Sequence, residues 1–409
     1  MKIIYLHQYF TLPTQAGGTR SYDLSKRFID AGKEVVVVTS SAYLQGLGPF
    51  EEKWTVKQYE GIELHILKLD YDNKLGFMKR IQVFISFLRE ASKRLLKLNG
   101  NVVLATSTPL TIAVPAIVKR WRHKTPYIFE VRDVWPEVPI AMGIIRNKVA
   151  IRALESFERY IYRKAAHVVA LSDDMKRSVL RRTKLPEERI TVIPNIAEVN
   201  RFRDYKEDDH LISSMIGFKP QRVLLYAGTF GEVNGLDYLV QLAALTQHID
   251  PELKYLLLGD GKQKEAVVKM AADQGLLDRT VFFAKPVPKS RLPQLYHECT
   301  AASSFVIPIK ELWANSANKF FDCLAAGKPV VINHLGWQAD VIRKRNVGHV
   351  LNFERAPDHM ERTAAAFCDY MNNTALLEEQ GRNAQAVARE QYSLEVAADK
   401  YLKTISSAV

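Results

Sequence analysis

Short apolar runs recur along the chain and alternate with stretches whose apolar positions repeat every three or four residues. The segment 2–7 (KIIYLH) reads as a strand, 21–32 (SYDLSKRFIDAG) as a helix stopped by Gly32, and 34–40 (EVVVVTS) as a second strand. Strand, loop, helix and strand in this order form a βαβ unit, and the continuous apolar strands fit a parallel sheet covered on both faces. The segment 54–69 suggests two short antiparallel or edge strands, and 74–98 one long amphipathic helix. Further strands are expected at VVLATST, YIFEV, HVVALS and RITVIPN. The alternation restarts with RVLLYAG and runs through LKYLLLGDG, VFFAKPV, SFVIPI and PVVINH, separated by helical patterns. HMERTAAAFCDYM and the stretch from Ala375 to Ile405 read as terminal helices.

The expected class is α/β, with two Rossmann-like parallel-sheet domains facing each other across a cleft. The 409 residues exceed what one core usually supports. The domains are expected at 1–200 and 201–390, with 196–220 as linker. A terminal helix at 391–409 is expected to pack back toward the first domain. Open α/β sheets bind ligands beyond the carboxyl ends of their strands, so those loops are where chemistry is sought.

Charge changes the picture. The formal net charge is +12, and residues 1–200 hold 32 Lys and Arg against 20 Asp and Glu, which accounts for all of it. A basic half suggests an anionic partner, either a membrane surface or nucleic acid, or a basic solvated face with no partner. No zinc-finger or RNP-like signature supports nucleic acid. The 74–98 helix, with Lys74, Lys79, Arg80, Arg89, Lys93, Arg94 and Lys97, suits an anionic inner-membrane surface, or equally a core-packed helix with a basic outer face. The opening residues read as a first strand rather than a signal peptide, and no apolar run reaches spanning length. The three cysteines make no paired motif. A cytoplasmic protein, peripheral on the membrane, is expected.

Glycine and charge gather at the strand ends. Gly17 and Gly18 lie in the first strand–helix loop, where backbone N–H groups can approach a phosphate, with Arg20 following; a plain turn is the alternative. Arg132 and Asp133 end the strand YIFEV, as a site lip or an internal ion pair, and Glu130 within it needs a partner if buried. Gly228 and Thr229 end the first strand of the second half, and Gly259 a later one. Ser316 can cap a helix that carries Asn318, Lys319 and Asp322, whose N-terminus would face an anion. Asp322 lies one turn beyond Asn318, where a carboxylate can accept ribose hydroxyl bonds. No HExxH, CxxC pair or other metal-ligand spacing occurs.

The segments MKIIYLHQYF…GGTRSYDLSKRF, FEVRDVWPE, VIPN, LLYAGTFGEVNGLDYL and NKFFDCLAAGKPVV together resemble retaining GT-B glycosyltransferases of family 4. The likeness is to bacterial enzymes that build O-antigen, capsule and exopolysaccharide, including the L-fucosamine transferase type. It implies an acceptor-binding first domain and a donor-binding second one. The implied reaction moves an N-acetylated hexosamine or 6-deoxy-hexosamine from a UDP-sugar to a lipid-diphosphate-linked saccharide, with retention and without a required metal or cofactor. Gly17, Gly18, Arg20, Gly228, Thr229, Ser316, Asn318 and Lys319 would then hold the donor diphosphate. Gly259, Val287 and Asp322 would hold the nucleoside, and Arg132, Asp133 and Glu311 would form the catalytic group.

The chain departs from the family in five places, one of them Asp322, which stands, with a shorter reach, for a glutamate. Arg132 stands where a histidine is common. Thr229 and Asn234 replace a basic clamp, and Ala314 replaces a glutamate for which Glu311 could substitute. Two other readings share the fold: a UDP-sugar 2-epimerase, and a non-catalytic polysaccharide-assembly protein.

Overall fold

The structure, a computed structural model, describes residues 1–15, 18–69, 77–107, 109–203 and 210–409, the segment 77–81 by its backbone. The chain forms two compact units: Met1–Pro194 with Leu394–Val409, and Asn195–Ser393.

The first unit is built on eight strands: β1 (Lys2–Leu6), β2 (Glu34–Ser40), β3 (Trp54–Tyr59), β4 (Ile62–Leu67), β5 (Val102–Thr106), β6 (Tyr127–Val131), β7 (His167–Ala170) and β8 (Ile190–Val192). Their order is β3-β4-β2-β1-β5-β6-β7-β8. All neighbours run parallel except β3, an edge strand antiparallel to β4. Apart from the exposed Glu34 at the start of β2, the strands β2, β5 and β6 are buried along their length, as the unbroken apolar runs require.

The second unit has β9 (Arg222–Ala227), β10 (Leu253–Leu258), β11 (Val281–Ala284), β12 (Ala301–Ser304), β13 (Val330–Ile332) and β14 (Gly348–Val350), all parallel, in the order β11-β10-β9-β12-β13-β14. This is the doubly wound order, with the reversal between β9 and β12. In the first unit the reversal lies between β1 and β5. Alternate residues of β9 serve opposite cores: Val223 and Leu225 join Phe320 and Phe321, while Leu224 and Tyr226 join Phe230 and Leu239. Each such fully buried side chain contributes roughly 1.5–3 kcal/mol of transfer free energy.

One element differs from the sequence reading. The stretch from Ala375 to Ile405 is not one helix. It breaks into Thr374–Gln391 and Leu394–Ala408. Tyr392 is buried at the break, edge-on to Phe321 at 5.2 Å between centroids, and its carbonyl accepts from Ala197 N–H. The chain leaves one unit there and enters the other, and Leu394–Ala408 packs on the helix Arg20–Asp30, with Tyr401 against Phe28.

The amphipathic helix, described at Phe77–Lys97, follows the core-packed alternative; Lys74 lies outside the described residues, as do the side chains of Lys79 and Arg80. Its apolar face is spent on the unit's own core, since Phe87, Ala91 and Leu95 are fully buried. The buried Lys119 donates to the carbonyls of Leu95 and Leu98, capping the helix end. Arg94 donates to His65 and lies over Trp54, leaving Arg89, Lys93 and Lys97 on the exposed face. No described helix is long and apolar enough to cross a membrane.

Candidate functional site

In the second unit the loops after β9, β10 and β12 converge at the point where strand order reverses. Gly228 follows β9 and donates to the Leu258 carbonyl at the end of β10. A Cβ on Gly259 would lie 1.8 Å from the Gly228 carbonyl oxygen, and one on Gly261 would lie 2.5 Å from that of Phe230. Both have φ near +150°, so only glycine lets these two loops meet. Tyr226 donates its hydroxyl to the Thr229 carbonyl, fixing the turn in which Thr229 is exposed. Lys264 donates to the Gly259 carbonyl. The result is a floor of backbone at the strand ends, with little side chain over it.

One side chain does reach over it. Lys319 is the second residue of the helix Asn318–Ala325, and its Nζ would be 3.1 Å from a Cβ on Gly228. It donates to Asn234 Oδ1 at 3.3 Å and stands over the Tyr226 ring at 5.1 Å. Burial lowers its ammonium to about 8, with Asp322 and Cys323 pulling the other way. A cation held over glycine backbone at a helix N-terminus is a site for an anion. Asn234 is one of the two positions where a basic clamp was expected and is missing. Lys319 supplies a positive charge to that position from another element.

The loop before this helix is pinned from three sides. Trp337 Nε1 and Gln338 Nε2 both donate to the Asn315 carbonyl, at 3.2 and 3.1 Å. Asn195 N–H donates to Ser316 Oγ, and its side-chain amide donates to the Ser316 carbonyl and Asn318 Oδ1. Ser316 is therefore not the expected helix cap. The cap position is Ala317, without a side-chain bond, and the Ser316 hydroxyl is turned to Asn195. Asn318 is exposed at the first helical position.

Asp322, one turn on, receives Arg201 Nη2 on Oδ1 at 2.8 Å. Arg201 also pairs with Glu198, which pairs with Lys289. Burial pushes the Asp322 carboxyl up to about 6 against the pull of Arg201. Among the described residues Oδ2 takes no hydrogen bond. Gly259 is buried at the end of β10, and Val287, after β11, is half-buried against the core. Glu311 lies in the 3₁₀ turn Lys310–Ala314, half-buried.

The remaining expected residues lie in the first unit. Gly17 falls outside the described residues, and Gly18 is exposed in the loop before the first helix. Arg20, read as a phosphate donor, points into the interior. Its Nε meets Glu130 Oε1 at 2.8 Å, and its other nitrogens donate to the Ile193 and Pro194 carbonyls. Thr106 and Tyr401 also donate to Glu130. Burial would raise the Glu130 carboxyl, but Arg20, Arg132 and these bonds hold it at about 2. This is the partner that a carboxylate inside a strand requires. Arg132 is half-buried, with its N–H on Ser107 Oγ, and Asp133 is exposed beside it. Arg201, Glu198, Lys289, Lys264, Trp337 and Gln338 had not been singled out from the sequence. Only the i,i+3 spacing of Glu198 and Arg201 hinted at a pair. Among the described residues no three His, Cys, Asp or Glu side chains gather as a metal group.

Comparisons with known proteins place this geometry in a family context. Residues 16–196 match the glycosyl transferase 4-like domain, and residues 221–373 match the glycosyl transferases group 1. The alpha-D-kanosaminyltransferase of Streptomyces kanamyceticus is 23% identical over 59% of this chain and 61% of its own length. The probable glycosyltransferase WbjE of Pseudomonas aeruginosa is 22% identical over 52% and 53%. The chain thus spans little more than half the length of these curated relatives. Among solved structures, Anabaena Alr3699/HepE in complex with UDP and glucose superposes over the whole of both chains, with a TM-score of 0.68 and 17% identity.

Proposed function

Starting from a GT-B glycosyltransferase related to the GT4-type sugar transferases, we propose that this protein transfers a sugar from a UDP-sugar to an acceptor hydroxyl with retention. The donor sits on the second unit. The observation that carries the reading is Lys319, a half-buried cation placed over the Gly228 backbone where the Gly259 loop closes against it. Its ammonium has one neutral acceptor, Asn234, and no paired carboxylate within bonding distance, and a diphosphate is a ligand that would pair it. Lys319, the first N–H groups of its helix and the glycine loops after β9 and β10 hold the diphosphate. The free oxygen of Asp322 accepts a ribose hydroxyl, and Val287 lies beside the base. The UDP complex of the Anabaena relative supports the choice of nucleotide.

In the reaction, the bond from the anomeric carbon to the UDP oxygen breaks and a bond to the acceptor oxygen forms on the same face. The acceptor proton passes to the departing diphosphate. Charge grows on the diphosphate as the bond breaks, and a pinned helix N-terminus with a fixed ammonium is already oriented toward it. The three side chains that hold Asn315 and Ser316 in place keep that orientation free of reorganisation cost. Arg132, Asp133 and Glu311 are proposed to position the sugar and acceptor. Gly18 and Gly17 are proposed for the donor phosphates. Arg20 is assigned instead to holding Glu130 and the first unit's strand ends.

The sugar is proposed to be an N-acetylated hexosamine or 6-deoxy-hexosamine, and the acceptor a lipid-diphosphate-linked saccharide of surface polysaccharide synthesis. The net charge of the first 200 residues and the exposed Arg89, Lys93 and Lys97 support a cytoplasmic protein peripheral on an anionic membrane.

The test is calorimetry of the protein with UDP, GDP, UDP-GlcNAc and GDP-mannose in the presence of EDTA. Binding of the UDP compounds alone is expected. Binding of none of them, or of the GDP compounds preferentially, removes the proposed donor site.

A further inference from the structure

The second unit carries a groove of about 850 Å³ at the end of its sheet opposite the glycine loops. That volume is within the roughly 300–1,000 Å³ range of small-ligand pockets. Arg222 begins β9 there, and Thr300 and Pro329 stand just before β12 and β13. From Arg222 to Gly228 the chain runs the length of β9, about 20 Å at 3.3 Å per residue, so the groove is separate from the proposed donor site. The helix Thr374–Gln391 forms one wall with two adjacent rows of positions, Thr374, Glu378 and Arg382 in one and Leu377, Gly381 and Gln385 in the other. A Cβ on Gly381 would lie 2.5 Å from the Gly327 carbonyl oxygen, so this helix rests directly on the turn that ends Asn318–Ala325.

The cations lining this groove are in excess of their partners. Among the described residues Lys219, Lys328 and Arg382 make no ion pair or side-chain hydrogen bond, although Glu378 stands one turn before Arg382 on the same helix. Lys328 follows a helix end, where a cation is favoured. The carbonyls there are already capped by backbone, since Gly327 N–H donates to Leu324 and Lys328 N–H to Cys323, so the ammonium itself is left over. Arg222 is held by Asp250, which accepts from its Nε and Nη2, and Asn372 donates to the same carboxylate. Its Nη1 makes no bond among the described residues. With Arg222 balanced by Asp250, the other three cations outweigh Glu378 by two charges. Gln221, Thr374 and Gln385 add amide and hydroxyl groups whose side chains make no hydrogen bond within the described residues.

We propose that this groove is a second ligand site and that it binds a phosphorylated sugar. A phosphate monoester carries close to two negative charges at neutral pH, which matches the excess, and offers three acceptor oxygens to ammonium and guanidinium donors. Sugar hydroxyls are the groups that amide and hydroxyl side chains pair with, whereas inorganic phosphate would leave Gln221, Thr374 and Gln385 unused. The proposal stands apart from the donor reading, since none of its residues belongs to that site, and both sites can be filled at once. The groove lies at the carboxyl end of Asn318–Ala325 and Lys319 near its amino end, so an occupant that touches Lys328 bears on the helix that carries Lys319.

The experiment titrates glucose 6-phosphate, inorganic phosphate and glucose into the full chain by calorimetry. Glucose 6-phosphate is expected to bind several-fold more tightly than inorganic phosphate, and glucose not measurably. Lys328→Gln combined with Arg382→Gln, neither in the core, is expected to weaken glucose 6-phosphate by about tenfold or more, the range for losing a charge-assisted hydrogen bond, with the thermal midpoint unchanged. Gln385→Glu, which keeps the side-chain shape and adds a negative charge to the helix wall, is expected to weaken it as well. Lys319→Met is expected to leave it alone. Binding that survives both groove variants, or that is lost in Lys319→Met and kept in them, puts the anion elsewhere and overturns the proposal. Equal affinity for glucose 6-phosphate and inorganic phosphate refutes the sugar, and no binding of either at millimolar concentration refutes the site. Groove-dependent binding in a protein that takes no UDP leaves this site assigned and refutes the donor reading instead.

Discussion

Lys319 offers the sharpest test of the proposed donor site, because its ammonium is held at about 8. Asp322 lies at about 6, while burial raises the thiols of Cys299 and Cys368 to about 12 and about 11 and pushes that of Cys323 well up. Between pH 7 and 9 the site therefore changes charge through Lys319. The free protein holds that proton about nine-tenths of the time at pH 7 and about one-tenth at pH 9. A bound diphosphate favours the charged form and raises the value again. Binding of UDP-GlcNAc, whose diphosphate has no ionisation in this range, then takes up about half a proton at pH 8 and almost none at pH 6.5. Its affinity falls by about ninefold from pH 7 to pH 9.

The same shift has a stability sign. A lysine lowered from 10.5 binds fewer protons folded than unfolded between about 8 and 10.5, so the free protein gains stability as pH rises through that window. The cost carried below pH 8 is at most about 3 kcal/mol. Calorimetry in buffers of different ionisation enthalpy reads the proton uptake directly. Lys319→Arg is expected to bind without uptake at any pH tested, and Lys319→Met to lose about 10- to 150-fold in affinity, the range of one charge-assisted hydrogen bond. No uptake at pH 8 in the unsubstituted protein, or an unchanged profile in Lys319→Arg, refutes the reasoning.

Asp322→Ala should weaken UDP several-fold more than inorganic pyrophosphate, measured by competition; equal losses for both remove its ribose role. Gly259→Ala places a methyl group 1.8 Å from the Gly228 carbonyl, so the thermal midpoint and UDP affinity should drop together, whereas Gly32→Ala, with nothing within 4 Å of its Cβ, should spare UDP affinity. Glu130→Gln leaves Arg20 buried without a countercharge and should cost about 3–5 kcal/mol in denaturant unfolding while UDP affinity stays unchanged. Because Glu130 is held at about 2, its stabilisation is present above its unfolded value near 4.5 and is lost as pH falls toward 2; the acid limb of the wild-type stability profile should flatten in the variant.

The architecture was legible because its strands carry the information locally. EVVVVTS and LKYLLLGDG are too short and too uniformly apolar for surface helices, and their spacing admits the helices between them. The glycines at 228 and 259 were visible as strand-end turns, although nothing in the sequence tells that one closes on the other's carbonyl. Arg20 shows the limit. Beside Gly18 it reads as a phosphate donor, and only the fold reveals that Glu130, 110 positions away, claims it. The groove beside Arg222 was invisible for the same reason, since its walls come from separate elements. Arg201 and Glu198 lie in a segment of mixed polarity with no periodicity to mark it, and their partner Lys289 belongs to a turn far along the chain. The break at Tyr392 carries neither glycine nor proline, and its cause is a change of packing partner rather than a backbone preference.

The first unit borrows its last helix, Leu394–Ala408, from beyond the whole of the second. During synthesis this inverts the order suggested by the sequence. The second unit is contiguous and can complete its sheet while the first still lacks Tyr401, and with it one of the hydrogen bonds that shield the Arg20–Glu130 pair. Nascent chains held with residue 393 just clear of the ribosome should therefore present a completed second unit and an unsealed first one. Chaperone recognition would then be expected to focus on the amino-terminal half, the part made first and sealed last.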